Sequence, residues 1–182
     1  MKNKIKINQD FMFDGVTGHE FTNRKYNPEN YKRDLDMIQE IIVHCTGSDS
    51  ENLEDPQTLI KYDLMPNHIS KKGCPFATYH FYINKAGEIF QLVSMNYYTW
   101  NCKGHNQYSV AVCINHGGTK NNVNKEQFES LGETIKYIFG KLGWDLSLQE
   151  LNSKLHFHRE YANKLCPGKI EKDKLIDDLM NR

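Results

Sequence analysis

Between Leu155 and Gly168 the chain reads Leu-His-Phe-His-Arg-Glu-Tyr-Ala-Asn-Lys-Leu-Cys-Pro-Gly, and no other stretch limits the possible folds as much. Two histidines, a lysine and a cysteine share one segment that ends in a Cys-Pro-Gly turn, where no regular element continues. The soft ligand atom of Cys166 therefore sits at a fixed corner. If Leu155 to His158 is a short strand, alternation puts His156 and His158 on one face and Phe157 on the other. A loop through Leu165 can then return Cys166 to the histidine face. A catalytic zinc site takes three protein groups and keeps a fourth position open, so the segment still needs a ligand from elsewhere. The fold has to bring it there.

The 182 residues suit one domain with a core of its own. The 23 basic and 23 acidic residues balance, which argues against a nucleic-acid partner or an anionic membrane surface. No apolar run approaches the roughly 20 residues of a membrane-spanning helix, so no membrane insertion is expected. The opening Met-Lys-Asn-Lys has the charge of a secretory leader but no apolar segment behind it. Synthesis in the cytoplasm without a signal peptide is the expectation. Five cysteines, an odd number without C-x-x-C spacing, argue against a disulfide framework.

Residues 1–37 read as an N-terminal arm, irregular and rich in Asn, Gly and aromatic residues, packed onto a domain spanning 38–182. Ile41-Ile42-Val43 is a β-branched run typical of a strand buried on both faces, and it ends in His44-Cys45-Thr46-Gly47. On position alone His44 is either a ligand or a hydrogen-bonded core histidine. Asp55-Pro56 starts a helix, with Asp as cap and Pro at the first position, and Pro66 stops it. His68 follows as a surface-loop histidine. Thr78 to Ile83 and Glu88 to Val93 predict a hairpin around Gly87. Tyr79 and Phe81 then face away from His80 and Tyr82, and alternation leaves open which face meets the core. A polar, aromatic loop with Trp100 and Cys102-Lys103-Gly104-His105-Asn106 leads into a strand from Ser109 to Asn115. Asn124 with Gln127 caps a long helix closed by Gly143, and a last helix runs from Ile170 to Met180.

Taken in order, these pieces resemble the zinc-dependent N-acetylmuramoyl-L-alanine amidases of the type 2 family, which also includes peptidoglycan recognition proteins. The nearest likeness is to phage amidase-type lysozymes, the endolysins. Ile41-Ile42-Val43-His44-Cys45-Thr46, Thr78-Tyr79-His80-Phe81, Cys102-Lys103-Gly104-His105-Asn106 with Ser109 to Cys113, and His158 to Pro167 carry the resemblance, over roughly Ile38 to Gly168. It implies a single α/β domain with a central mixed β-sheet flanked by helices. It also implies Zn2+ held by His44, His158 and Cys166, with Tyr79 and Lys164 as catalytic side chains, and peptidoglycan or muropeptides as substrate. The family spacing between histidine and cysteine selects His158 over His156. Where relatives often carry a histidine just before the Cys-Lys-Gly-His-Asn stretch, this chain has Trp100-Asn101, which bears on substrate grip. The expectation is a monomer acting on the cell wall after release across the membrane. Other readings are a non-catalytic peptidoglycan receptor on the same fold, a cytoplasmic amidase that recycles wall fragments, and a cysteine hydrolase using Cys166 with His158. Some phage relatives also bind a polymerase, and nothing in this sequence tests that.

Overall fold

The Ile41-Ile42-Val43 run becomes the middle of the sheet. Strand β2 (Glu40–Cys45) is buried along its whole length. It pairs in parallel with β5 (Ser109–Ile114) on one side and β6 (Leu155–Phe157) on the other. Strand β3 (Phe81–Ile83) runs parallel to β5 and turns back as the antiparallel β4 (Ile89–Gln91). The edge is closed by the two-residue β1 (Ile7–Asn8), parallel to β4. This computed structural model describes residues 5–118 and 123–181 and has one mixed six-stranded sheet in the order β1-β4-β3-β5-β2-β6. Residues 1–4, where the charged opening of the chain was read for a leader, lie outside the described residues, as do 119–122 and 182.

Both faces of the sheet are covered, as continuous β-branched strands require. On one face Ile41, Val43, Phe81, Val112 and Phe157 pack against Leu131 and Ile135 of α2 (Lys125–Leu142), Leu151 of α3 (Leu148–Lys154) and Leu175 of α4 (Lys172–Asn181). On the other, Tyr82, Phe90 and Cys113 pack against Leu59 and Ile60 of α1 (Pro56–Leu64) and against Phe13 and Tyr31 of the N-terminal segment. Fully burying one such side chain is worth roughly 1.5–3 kcal/mol, so the two layers hold the sheet's carboxyl edge in place. No helix among the described residues is long and apolar enough to cross a membrane.

The cap signals act as expected. The Asp55 carboxylate accepts from the Gln57 N–H at 2.9 Å, and Asn124 Oδ1 accepts from the Gln127 N–H at 2.7 Å. Gly87 takes φ 79 in the hairpin turn, where a Cβ would meet Glu126 at 3.0 Å. Two features differ from expectation. Helix α3 precedes β6, capped by Ser147, whose hydroxyl accepts from the Glu150 N–H at 3.3 Å. The hairpin also has no free face, since Phe81 and Tyr82 are both fully buried, one in each layer.

Besides β1, the N-terminal segment is attached by aromatic rings and a buried cation. Phe13 stacks on Phe76 at 4.9 Å, and its N–H donates to the Leu92 carbonyl at 3.0 Å. Arg33 is 4% exposed and donates to the carbonyls of Met95, Gln107 and Ser109 at 2.9, 3.0 and 2.9 Å. Burial lowers its pKa to about 10. Several aligned carbonyls let this guanidinium stay inside without a carboxylate, and they fasten the loop between Met95 and Ser109 to the strands behind it.

Candidate active site

His44 leaves β2 one residue from its end, on the face opposite Val43, and is 1% exposed. Strand β6 runs alongside and stops at Phe157, so His158 opens a short turn, His158–Glu160, at the same carboxyl edge. Open α/β sheets commonly bind ligands at this edge. The chain then doubles back. The Arg159 N–H donates to the Cys166 carbonyl at 2.8 Å, and the Arg159 guanidinium donates to the carbonyls of Gly168 and Ile170. That clamp returns Cys166 to β2, where the Cys45 N–H donates to its Sγ at 3.1 Å.

One ligand atom each from His44, His158 and Cys166 lies within 4.8 Å of the others. The two imidazole rings are 4.5 Å apart, and Cys166 Sγ is 3.9 Å from His44 Nδ1. His44 Nε2 is buried without a hydrogen-bond partner among the described residues. Nδ1 is the His44 nitrogen that faces the Cys166 sulfur, so Nδ1 would meet a cation shared with that sulfur. Burial first, then competition with the neighbouring His158 imidazole and the Lys164 cation, hold His44 well below its ordinary pKa; burial and Lys164 lower His158 as well. Both imidazoles are therefore neutral and have a lone pair to give. The Cys166 thiol is pushed up by the neighbouring Cys45 side chain and by burial, against the lowering effect of the Cys45 N–H, so a thiolate there requires a cation beside it. Two nitrogens and a sulfur are a zinc donor set with one position open. The residues present fit that ion.

His156 does not join them. Its Nδ1 lies 2.9 Å from Glu160 Oε2 and its Nε2 3.1 Å from the Ser153 carbonyl. Because β6 ends at Phe157, one residue before the expected end, the alternation that pairs His156 with His158 is broken at the histidine that matters.

Tyr79 sits just ahead of β3 with its ring 5.2 Å from that of His44. Burial foremost, then Cys113 and Asp63, keep its phenol well above the usual range, so it remains a proton donor. Its approach is set by Asp63, which accepts from both the N–H and the hydroxyl of Thr78 at 2.8 Å. Lys164 is exposed on the loop leading to Cys166. A cleft of about 720 Å3 brings His44, Tyr79, His158 and Lys164 together with Trp100, Lys103 and Tyr161. Asn101 is also in its wall, hydrogen-bonded to Ser109 Oγ at 3.1 Å. His68, exposed, reaches the same cleft.

Sequence reasoning missed the brace behind this wall. Tyr161 donates to Glu40 Oε2 at 2.5 Å, His105 Nδ1 lies 2.8 Å from Glu40 Oε1, and the rings of His105 and Tyr161 stack at 3.8 Å. A glutamate directly before a β-branched run carries no mark of this role. Its partners lie 65 and 121 positions away.

Fold and cluster together define a class: α/β proteins that gather two imidazoles and a thiol at the carboxyl ends of parallel strands. Within it, the family profile described as N-acetylmuramoyl-L-alanine amidase matches residues 34–169, and the chain belongs to that family. No curated protein matches the sequence. Among solved structures, the N-acetylmuramoyl-L-alanine amidase LysC from Clostridium intestinale URNW superposes with a TM-score of 0.61 at 17% identity, covering 98% of this chain and 99% of that one. The Ph2119 endolysin from the Thermus scotoductus MAT2119 bacteriophage Ph2119 gives 0.68 at 13% identity, covering 96% and 99%. Drosophila PGRP-LB gives 0.57 at 18% identity, covering 78% and 79%. At these identities the likeness is one of fold.

Proposed function

We propose that this chain is a zinc-dependent amidase of the endolysin type that hydrolyses the amide between N-acetylmuramic acid and L-alanine in peptidoglycan. His44, His158 and Cys166 hold the metal, and Tyr79 and Lys164 act on the substrate. The observation that carries this is the meeting of three ligand atoms within 4.8 Å beside a cleft, from positions as much as 122 residues apart.

Zinc bound to this donor set supplies Lewis acidity strong enough to lower the pKa of water from 15.7 to about 7. The side chains do the rest. His44 and His158 stay neutral and present their lone pairs, because burial and the Lys164 cation disfavour protonating them. As the substrate carbonyl becomes tetrahedral, negative charge grows on its oxygen, and Lys164 stabilises it as a point cation. Tyr79, held as a phenol, passes a proton towards the leaving amine. Cys166 serves as a ligand and not as a nucleophile, since its thiol is raised above the ordinary value and a thiolate there requires a cation beside it.

Purified protein is expected to carry about one zinc per chain. Atomic spectroscopy after exhaustive dialysis checks this, and full activity in protein free of metal would contradict it.

A further inference from the structure

The aromatic wall of the cleft continues beyond Trp100. Trp100 and Asn106 also line a neighbouring hollow of about 410 Å3, together with Tyr98, Gly104, Gln107 and Tyr108. The chemistry of this hollow differs from that of the cleft. Its lining has three aromatic rings, two carboxamides and no charged side chain, whereas Lys103 and Lys164 both line the cleft.

The rings are held before any ligand arrives. Trp100 meets Tyr26 edge-to-face at 5.5 Å and Tyr31 at 6.2 Å. Tyr98 packs on Tyr31 at 5.2 Å and donates its hydroxyl to the Asn30 carbonyl at 3.4 Å. Tyr108 is 39% exposed, yet its backbone is fixed: its N–H donates to the His105 carbonyl at 3.0 Å and its carbonyl accepts from the Gln39 N–H at 2.8 Å. Asn106 uses its oxygen to accept from the Cys102 N–H at 2.8 Å, which leaves its NH2 group as a donor. A preset surface of this kind lowers the ordering cost of binding.

An aromatic face is electron-rich and attracts weakly positive C–H bonds. A pyranose ring offers such bonds on its faces and hydroxyl or acetamido groups around its rim, the latter suited to the two carboxamides. A peptide stem, with its carboxylates, would find no cation here. We propose that this hollow is a subsite for an uncharged N-acetylated hexosamine ring of the glycan strand, next along from the muramic acid in the cleft. It makes the enzyme favour strands over released disaccharide-peptides. This rests on the amidase reading above.

Two substrates with the same stem peptide, one on a disaccharide and one on a tetrasaccharide, test it. The wild type is expected to have a kcat/KM about five- to tenfold higher on the tetrasaccharide, expressed in KM. Tyr108→Ala should bring that ratio to about one, and Tyr108→Phe should retain it, since stacking needs the ring and not the hydroxyl. In parallel, calorimetry should detect binding of N-acetylglucosamine tetramer to the wild type and to Tyr108→Phe but not to Tyr108→Ala. A wild-type ratio of one, or a ratio untouched by Tyr108→Ala, overturns the subsite and leaves the amidase reading in place. Cleavage of neither substrate counts against the amidase reading instead. The tetramer titration then decides the subsite, and failure of the wild type to bind overturns it.

Discussion

Cys166→Ser is expected to lower zinc affinity by more than about a hundredfold and to abolish turnover at ordinary metal concentrations. Changing a residue that only supports a ligand typically costs 10–100-fold, and this variant removes the one soft ligand. A hydroxyl does not ionise as a thiol does beside the metal, so the donor set falls to two neutral imidazoles. The fold should persist, because Cys166 is only half-buried and the Arg159 clamp uses backbone carbonyls. Cys45→Ser and Cys113→Ser are the controls. Cys45 meets the Cys166 sulfur through its backbone N–H, which serine keeps, and through its side chain, where serine leaves a hydroxyl of similar size; Cys113 is fully buried in the layer beneath. Metal content and kcat/KM for the three variants separate the outcomes. Zinc retained by Cys166→Ser would remove the cysteine from the site.

Lys164→Ala and Tyr79→Phe are each expected to keep the metal and reduce kcat by about a hundredfold or more, the usual cost of losing one donor to a developing charge. Neither should move the melting temperature much. Lys164 is exposed, and Tyr79→Phe keeps the ring that packs beside His44. The lysine variant should also let His44 and His158 accept protons more readily, since Lys164 is among the charges that disfavour it. Its zinc should therefore be released at higher pH than in the wild type. Unchanged kcat in both variants would move the chemistry to other residues.

Much of this site could be read from the amino-acid order, and the parts that could not share a cause. His44 was visible because a β-branched run ended in a histidine and a glycine-containing loop, a pattern a buried strand imposes locally. His158 was harder. Alternation favours His156 equally; the family spacing to Cys166 selects His158, and the strand's end at Phe157 gives the physical reason the two part. Helix α3 had its Ser147-Leu148-Gln149-Glu150 cap in plain view, but seven residues give too few turns to show a period. Arg33 and Glu40 left no trace in the sequence, because a charge is tolerated inside only when distant partners converge on it. For Arg33 these are carbonyls 62 to 76 positions on. Local pattern thus predicted elements, and the family resemblance named the three side chains that the fold brings within 4.8 Å, whereas the bracing of the cleft is a property of the assembled fold.

The central claim is a metal-dependent cut at one amide bond, and product analysis of digested peptidoglycan tests it most directly. Purified walls treated with the protein should gain free L-alanine amino termini without new reducing sugar ends, because glycosidases depend on paired carboxylates placed across a sugar bond and the site described here is built on nitrogen and sulfur ligands. A chelator should stop the release, and zinc added back should restore it. New reducing ends without new amines, or amine release indifferent to the chelator, would contradict the account.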